Sequence, residues 1–130
     1  MFKWEKDEED PDDYNRIAVL FGKDSEAADR LFKFADENTN NIEFSIFEFE
    51  GGNFMVTTSA EIGKESYGTE VGCVNAVGKV NRHAHNHKKN LFLSPGDRAF
   101  QECNPKATLY IYRKGDGFYN PKTQKFTDKF

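Results

Sequence analysis

The chain has 130 residues, 37% of them apolar and 31% charged, with 13 Phe, 5 Tyr and a single Trp. That is one domain's worth of chain with enough large side chains for a packed core, which excludes a disordered or fibrous polypeptide. The formal net charge of −4 argues against a nucleic-acid-binding surface, and no apolar run approaches the ~20 residues that span a bilayer.

Residues 1–15 hold the acidic, Pro-containing run DEEDPDD and read as a flexible head, leaving 16–130 as a single domain. The first residues lack the apolar stretch of a signal peptide, so a cytoplasmic setting is the default expectation. Two cysteines, Cys73 and Cys103, are too few for a disulfide framework and are expected as inert thiols. The basic stretch from Lys122 to Lys129 reads as solvated surface.

Residues 16–21 (RIAVLF) predict a strand that ends at Gly22. Residues 25–37 predict a helix capped by Asp24 or Ser25, with Ala28, Leu31, Phe32 and Ala35 as its apolar stripe. Residues 42–49 alternate as a strand, with Ile42, Phe44 and Ile46 on one face and Glu43 and Ser45 on the other. Gly51-Gly52-Asn53 predicts a hairpin into a returning strand at 54–58. Residues 60–70 are polar and loop-like, and 71–85 carry a Val-rich strand pattern ending in His83 and His85. A loop over 86–93 precedes a helix over 95–103, with Ser94 as N-cap and Pro95 at its first position. Leu91-Phe92-Leu93 in that loop are expected to pack into the core, with a substrate groove as the alternative. Residues 107–112 form a further strand, and Lys114-Gly-Asp-Gly117 turns it back on 118–120. This order predicts the α/β class, a mixed β-sheet with flanking helices.

The chemistry concentrates at His83-Ala-His85 and the following Ser94-Pro-Gly-Asp97. Two histidines two apart on a strand share a face, so their imidazoles can converge on one metal ion. An Asp from the next element adds an anionic third ligand. Three protein ligands with one open position describe a catalytic zinc site, in contrast to a closed structural one. Taken alone, Ser94 and Asp97 read as a helix capping box, which is compatible with metal binding because a cap holds both residues rigidly. Neither a zinc deaminase HxE and PCxxC set nor a metallo-β-lactamase HxHxDH motif is present, and nothing around either cysteine supports a nucleophilic thiol.

His83-x-His85, eight intervening residues, Ser94 and then Asp97 resemble the signature of the JAB/MPN-type (JAMM) zinc metalloproteases. Asn41-Ile-Glu-Phe-Ser45, Asn53-Phe-Met-Val-Thr-Thr-Ser59 and Leu109–Tyr119 are similar to the branch associated with bacterial polymorphic toxins. The likeness spans roughly residues 28–120. It departs from the family at Asn86, which stands where HxHP has proline.

The resemblance implies a JAB/MPN-like, cytidine-deaminase-like layered fold and a Zn²⁺ ion held by His83, His85 and Asp97. It implies Glu43 as general base and Ser94 as the residue that steadies the tetrahedral intermediate. Glu48 and Glu50 are the runners-up for the base, disfavoured by strand parity, and His87 is expected outside the ligand set. The implied activity is hydrolysis of peptide or isopeptide bonds, by a metalloprotease or deconjugating isopeptidase. The implied partners are a protein or peptide substrate, such as a ubiquitin-like conjugate, and a cognate immunity protein, with no nucleic acid and no membrane. The toxin likeness further implies an effector domain of a larger bacterial protein, delivered into a target cell. The alternative from another class is a catalytically inactive JAB/MPN-fold module that binds a partner protein.

Overall fold

A computed structural model of the chain describes residues 2–4, 16–40, 42–58, 79–87 and 91–130. Its strands are β1 (Phe2–Trp4), β2 (Arg16–Gly22), β3 (Phe44–Phe49), β4 (Phe54–Thr58), β5 (Val80–Asn86), β6 (Thr108–Arg113), β7 (Gly117–Asn120) and β8 (Lys125–Thr127). Its helices are α1 (Ser25–Glu37) and α2 (Pro95–Cys103). The strands make one sheet in the order β1-β2-β4-β3-β5-β6-β7-β8. Among the described strands only the β5–β6 pair is parallel, and the crossover between those two carries α2. This is the expected α/β class, a mixed sheet flanked by helices. Phe2–Trp4, inside the stretch expected as a flexible head, pair with β2 as the first strand of the sheet.

Each helix starts where the sequence provides a cap. Asp24 Oδ1 accepts the Ala27 N–H at 3.0 Å, which satisfies one of the unpaired donors at the start of α1. Ala28 and Phe32 of α1 are fully buried against Ile46, Val56, Ala84, Tyr112 and Phe118 on one face of the sheet. Phe100 of α2 is fully buried against Phe47, Met55 and Leu109 on the other. The alternation of β3 sorts the two cores: Phe44 and Ile46 serve α1, whereas Phe47 serves α2. The result is a three-layer arrangement with a helix on each side of the sheet.

The hairpin between β3 and β4 turns through Gly51 and Gly52, at φ 97° and 84°, values that glycine alone adopts at no steric cost. β3 begins two residues later than its alternation suggests, because the backbone at Ile42 and Glu43 is held by side chains in place of a neighbouring strand. β8 carries no apolar alternation and was not legible as a strand, and its three residues are exposed. Phe130 folds under the sheet beside Phe54, Tyr110 and Phe118. Its backbone N–H donates to Asp29 of α1 at 3.1 Å.

Cys103 corrects an expectation: it is disulfide-bonded, not an inert thiol. Two cysteines make no framework, yet they suffice for one bridge, and composition cannot tell a lone bridge from two thiols. Cys73 lies outside the described residues, as does the loop expected over 60–70 and most of the strand pattern expected from 71. Among the described residues no helix is long and apolar enough to cross a membrane.

Candidate metal centre

The site forms where the C-terminal end of β5 meets the N-terminus of α2. Ligand positions in open α/β sheets gather at the carboxyl ends of strands, and β5 with the residue after it places His83, His85 and His87 along one edge of that region. The ladder with β3 pairs His83 with Phe47 and His85 with Ser45. The ladder with β6 pairs His83 with Leu109 and His85 with Ile111. All of these residues face α2, as the strand period requires.

α2 delivers the carboxylate. Ser94 Oγ accepts the Asp97 N–H at 3.2 Å, and Asp97 Oδ2 accepts the Ser94 N–H at 2.7 Å, so both bonds of the capping box are made. This leaves Asp97 Oδ1 aimed at β5, 2.9 Å from His85 Nε2. Asp97 Oδ2 also lies 3.7 Å from His87 Nε2. The two imidazoles meet directly, with His85 Nε2 and His87 Nε2 2.8 Å apart. One ligand atom from each of His85, His87 and Asp97 therefore falls within 4.8 Å of the others.

The electrostatics follow from this packing. Burial by itself would raise the Asp97 carboxyl pKa. The hydrogen bond and charge of His85, the Ser94 N–H and the charge of His87 together outweigh it and hold the group at about 2. Asp97 is thus an anion at neutral pH, facing two imidazole nitrogens. Both are donors that suit a divalent metal of the zinc type, and the set leaves room for a further ligand. The donor chemistry fits the ion that the sequence motif implies.

The residues expected at the site divide as follows. His85 and Asp97 come together. His83 does not join them: it is fully buried and lies flat on Phe47, ring centroids 4.4 Å apart and planes 5° apart. Phe100 packs beside it, ring centroids 4.4 Å apart and planes tilted by 53°. Among the described residues, neither His83 nitrogen has a hydrogen-bond partner. Burial first, and then the charge of His85, pushes its pKa well below the ordinary histidine value, against a weaker opposing pull from Asp97. His87, expected outside the set, takes the third place in the cluster. Parity makes His83, His85 and His87 equivalent, so the signal that could have separated them is depth: His87 is nearest the strand end and the loop that leads to Ser94.

Glu43 sits just ahead of β3. Glu43 shares the strand parity of Ser45 and Phe47 and lies two residues ahead of Ser45–His85, the last pair of the β3–β5 ladder. Glu48 points to the other face, where it is paired with Arg82 at 2.9 and 3.1 Å. Ser94 is placed by its cap, and its Oγ accepts in that bond, which leaves the hydroxyl proton for donation. Leu93 packs against the core around Phe100, as expected, but Phe92 is 80% exposed.

Residues 20–117 match the protein family described as JAB-like toxin 1. The chain belongs to that family. The match takes in every residue of the His85, His87 and Asp97 cluster, together with Glu43 and Ser94. No curated protein and no solved structure matches the chain.

Proposed function

We propose that this JAB-like toxin domain is a zinc-dependent hydrolase of peptide or isopeptide bonds. His85, His87 and Asp97 are the ligands and Glu43 is the general base. The observation that carries this reading is the convergence of His85 Nε2, His87 Nε2 and the Asp97 carboxylate from β5 and α2. When bound, zinc supplies Lewis acidity, which lowers the pKa of a coordinated water toward about 7 and polarises a substrate carbonyl.

The chain's own groups do the rest. Glu43, just ahead of β3, accepts a proton from the attacking water. It then delivers that proton to the leaving amine as the carbon–nitrogen bond breaks. Ser94 donates its hydroxyl proton to the developing oxyanion. Asp97 keeps His85 and His87 turned toward each other, and its low pKa keeps the ligand set anionic at neutral pH.

The toxin family supports a protein or peptide as target, a ubiquitin-like conjugate being one form of it, and a cognate immunity protein as inhibitor. The same membership supports a role as the effector part of a larger bacterial protein that acts inside a target cell.

The test is turnover by the zinc-loaded chain on a panel of peptides and isopeptide-linked ubiquitin-type conjugates. Cleavage should be abolished by a chelator and restored by zinc. Glu43→Gln should retain zinc and lose turnover by at least about 100-fold, in line with the loss of a general base. Full turnover in Glu43→Gln would remove Glu43 from its role. Absence of cleavage across the panel by fully loaded protein would contradict the hydrolase reading.

A further inference from the structure

We infer that Asn86, the residue between the two histidines of the cluster, is a positioning residue that sets the backbone carrying Glu43. This inference rests on the hydrolase reading above. Asn86 is buried on the α1 face of the sheet, opposite to His85 and His87. Its Oδ1 accepts the Phe44 N–H at 2.8 Å. Its Nδ2 donates to the Ile42 carbonyl at 3.2 Å and to Asp36 Oδ1 of α1 at 2.7 Å. The two backbone groups it holds lie immediately before and after Glu43.

That arrangement is a side chain doing what a strand would do. The β3–β5 ladder ends at Ser45–His85, and β3 itself starts at Phe44. Ahead of that point the Asn86 carboxamide, which has the donors and acceptor of a peptide group, continues the pairing. Thr58 Oγ1 adds a hydrogen bond to the Glu43 carbonyl at 2.9 Å. Three consecutive residues, 42 to 44, are thus held by side-chain hydrogen bonds, and Asn86 makes the two that flank Glu43.

The consequence is a coupling within residues 85–87, at the end of β5. His85 and His87 project to one face as ligands, and Asn86 projects to the other and fixes where the base begins. Proton transfer needs the base within about 2.6–3.2 Å of the proton it takes, and a base at the unpaired start of a strand would not keep that geometry. Asp36, buried in α1, anchors the clamp from behind. The identity of residue 86 therefore decides how Glu43 stands to the ligand set, although Asn86 touches neither the ligand atoms nor the carboxylate of Glu43.

The test uses the full chain loaded with Co²⁺ and follows its visible absorption against pH, with thermal unfolding in parallel. Glu43→Gln is the reference, because loss of the carboxylate that the hydrolase reading places next to the metal should move the spectroscopic midpoint by about one pH unit or more. Asn86→Ala should bind Co²⁺ within about threefold of wild type yet move the midpoint in the same direction as Glu43→Gln. Asn86→Asp should do the same, since it loses the donors to Ile42 and Asp36. Combining Asn86→Asp with Asp36→Asn should return the midpoint most of the way. There the carboxylate at position 86 accepts from the amide at position 36 and still accepts from Phe44. This swap also keeps the test decisive if the alanine variant fails to fold.

A wild-type midpoint in Asn86→Ala, with a shifted one in Glu43→Gln, would overturn the inference and leave the hydrolase reading standing. So would a double variant that regains thermal stability but not the midpoint, because that marks a purely structural role. An unshifted midpoint in Glu43→Gln would overturn the reading of Glu43 itself, and the inference with it.

Discussion

His83 and His87 show how little separates a core residue from a member of the candidate metal cluster. They lie four apart along β5 and the residue that follows it, face the same side and flank the same His85, yet their surroundings differ. His83 meets Phe47 and Phe100 and, among the described residues, finds no hydrogen-bond partner for either nitrogen. His87 meets His85 and the Asp97 carboxylate. An unpartnered buried polar group costs about 1–3 kcal/mol, so His83→Phe, which keeps a flat ring in an aromatic slot, should not lower stability and should raise it by about 1 kcal/mol. Urea unfolding at pH 7.5 checks this. The gain should grow as pH falls below about 6.5. There the unfolded wild type takes up a proton that buried His83 refuses, so wild-type stability declines with acid while the variant is spared that loss. Destabilisation of His83→Phe by more than about 2 kcal/mol would show that the imidazole has a partner this packing does not reveal.

At the scale of elements, sequence pattern performed best where one physical cause dominated. α1 and α2 were legible because capping and helical periodicity agree: Asp24 and Ser94 make the bonds their positions suggest. β3 began late because its first pairing partner is the Asn86 side chain, and no periodicity encodes a contact across 42 residues. β8 was not legible because Lys125, Phe126 and Thr127 are all exposed, leaving no buried face to produce alternation. What holds β8 is its pairing with β7, and Gly117 makes that close approach feasible. Gly117 has φ 93°, and a Cβ there would run into the Thr127 carbonyl. Gly117→Ala should therefore cost about 2 kcal/mol or more, from backbone strain and the collision together. Amide exchange should show β8 losing protection first, with α1 and β3 unaffected. Uniform loss across the sheet, or none, would contradict this assignment.

For the whole molecule, the sheet order explains why the cluster lies where it does. β5 has β3 on one side and β6 on the other, and the crossover to β6 carries α2 over the face that bears the histidines. Sequence was enough to bring two histidines, an aspartate and a helix cap to one place, and the family likeness implied the same. Which two of the three histidines reach Asp97 depends on where α2 settles along β5, a tertiary outcome that spacing alone does not encode. The central proposition is that the metal is held by His85, His87 and Asp97. The most direct measurement is zinc content per chain, by elemental analysis after dialysis, for wild type, His87→Ala and His83→Phe. Close to one zinc in the wild type and in His83→Phe, with loss in His87→Ala, is the predicted result. Zinc kept by His87→Ala and lost from His83→Phe would contradict it and return the site to the pair His83 and His85.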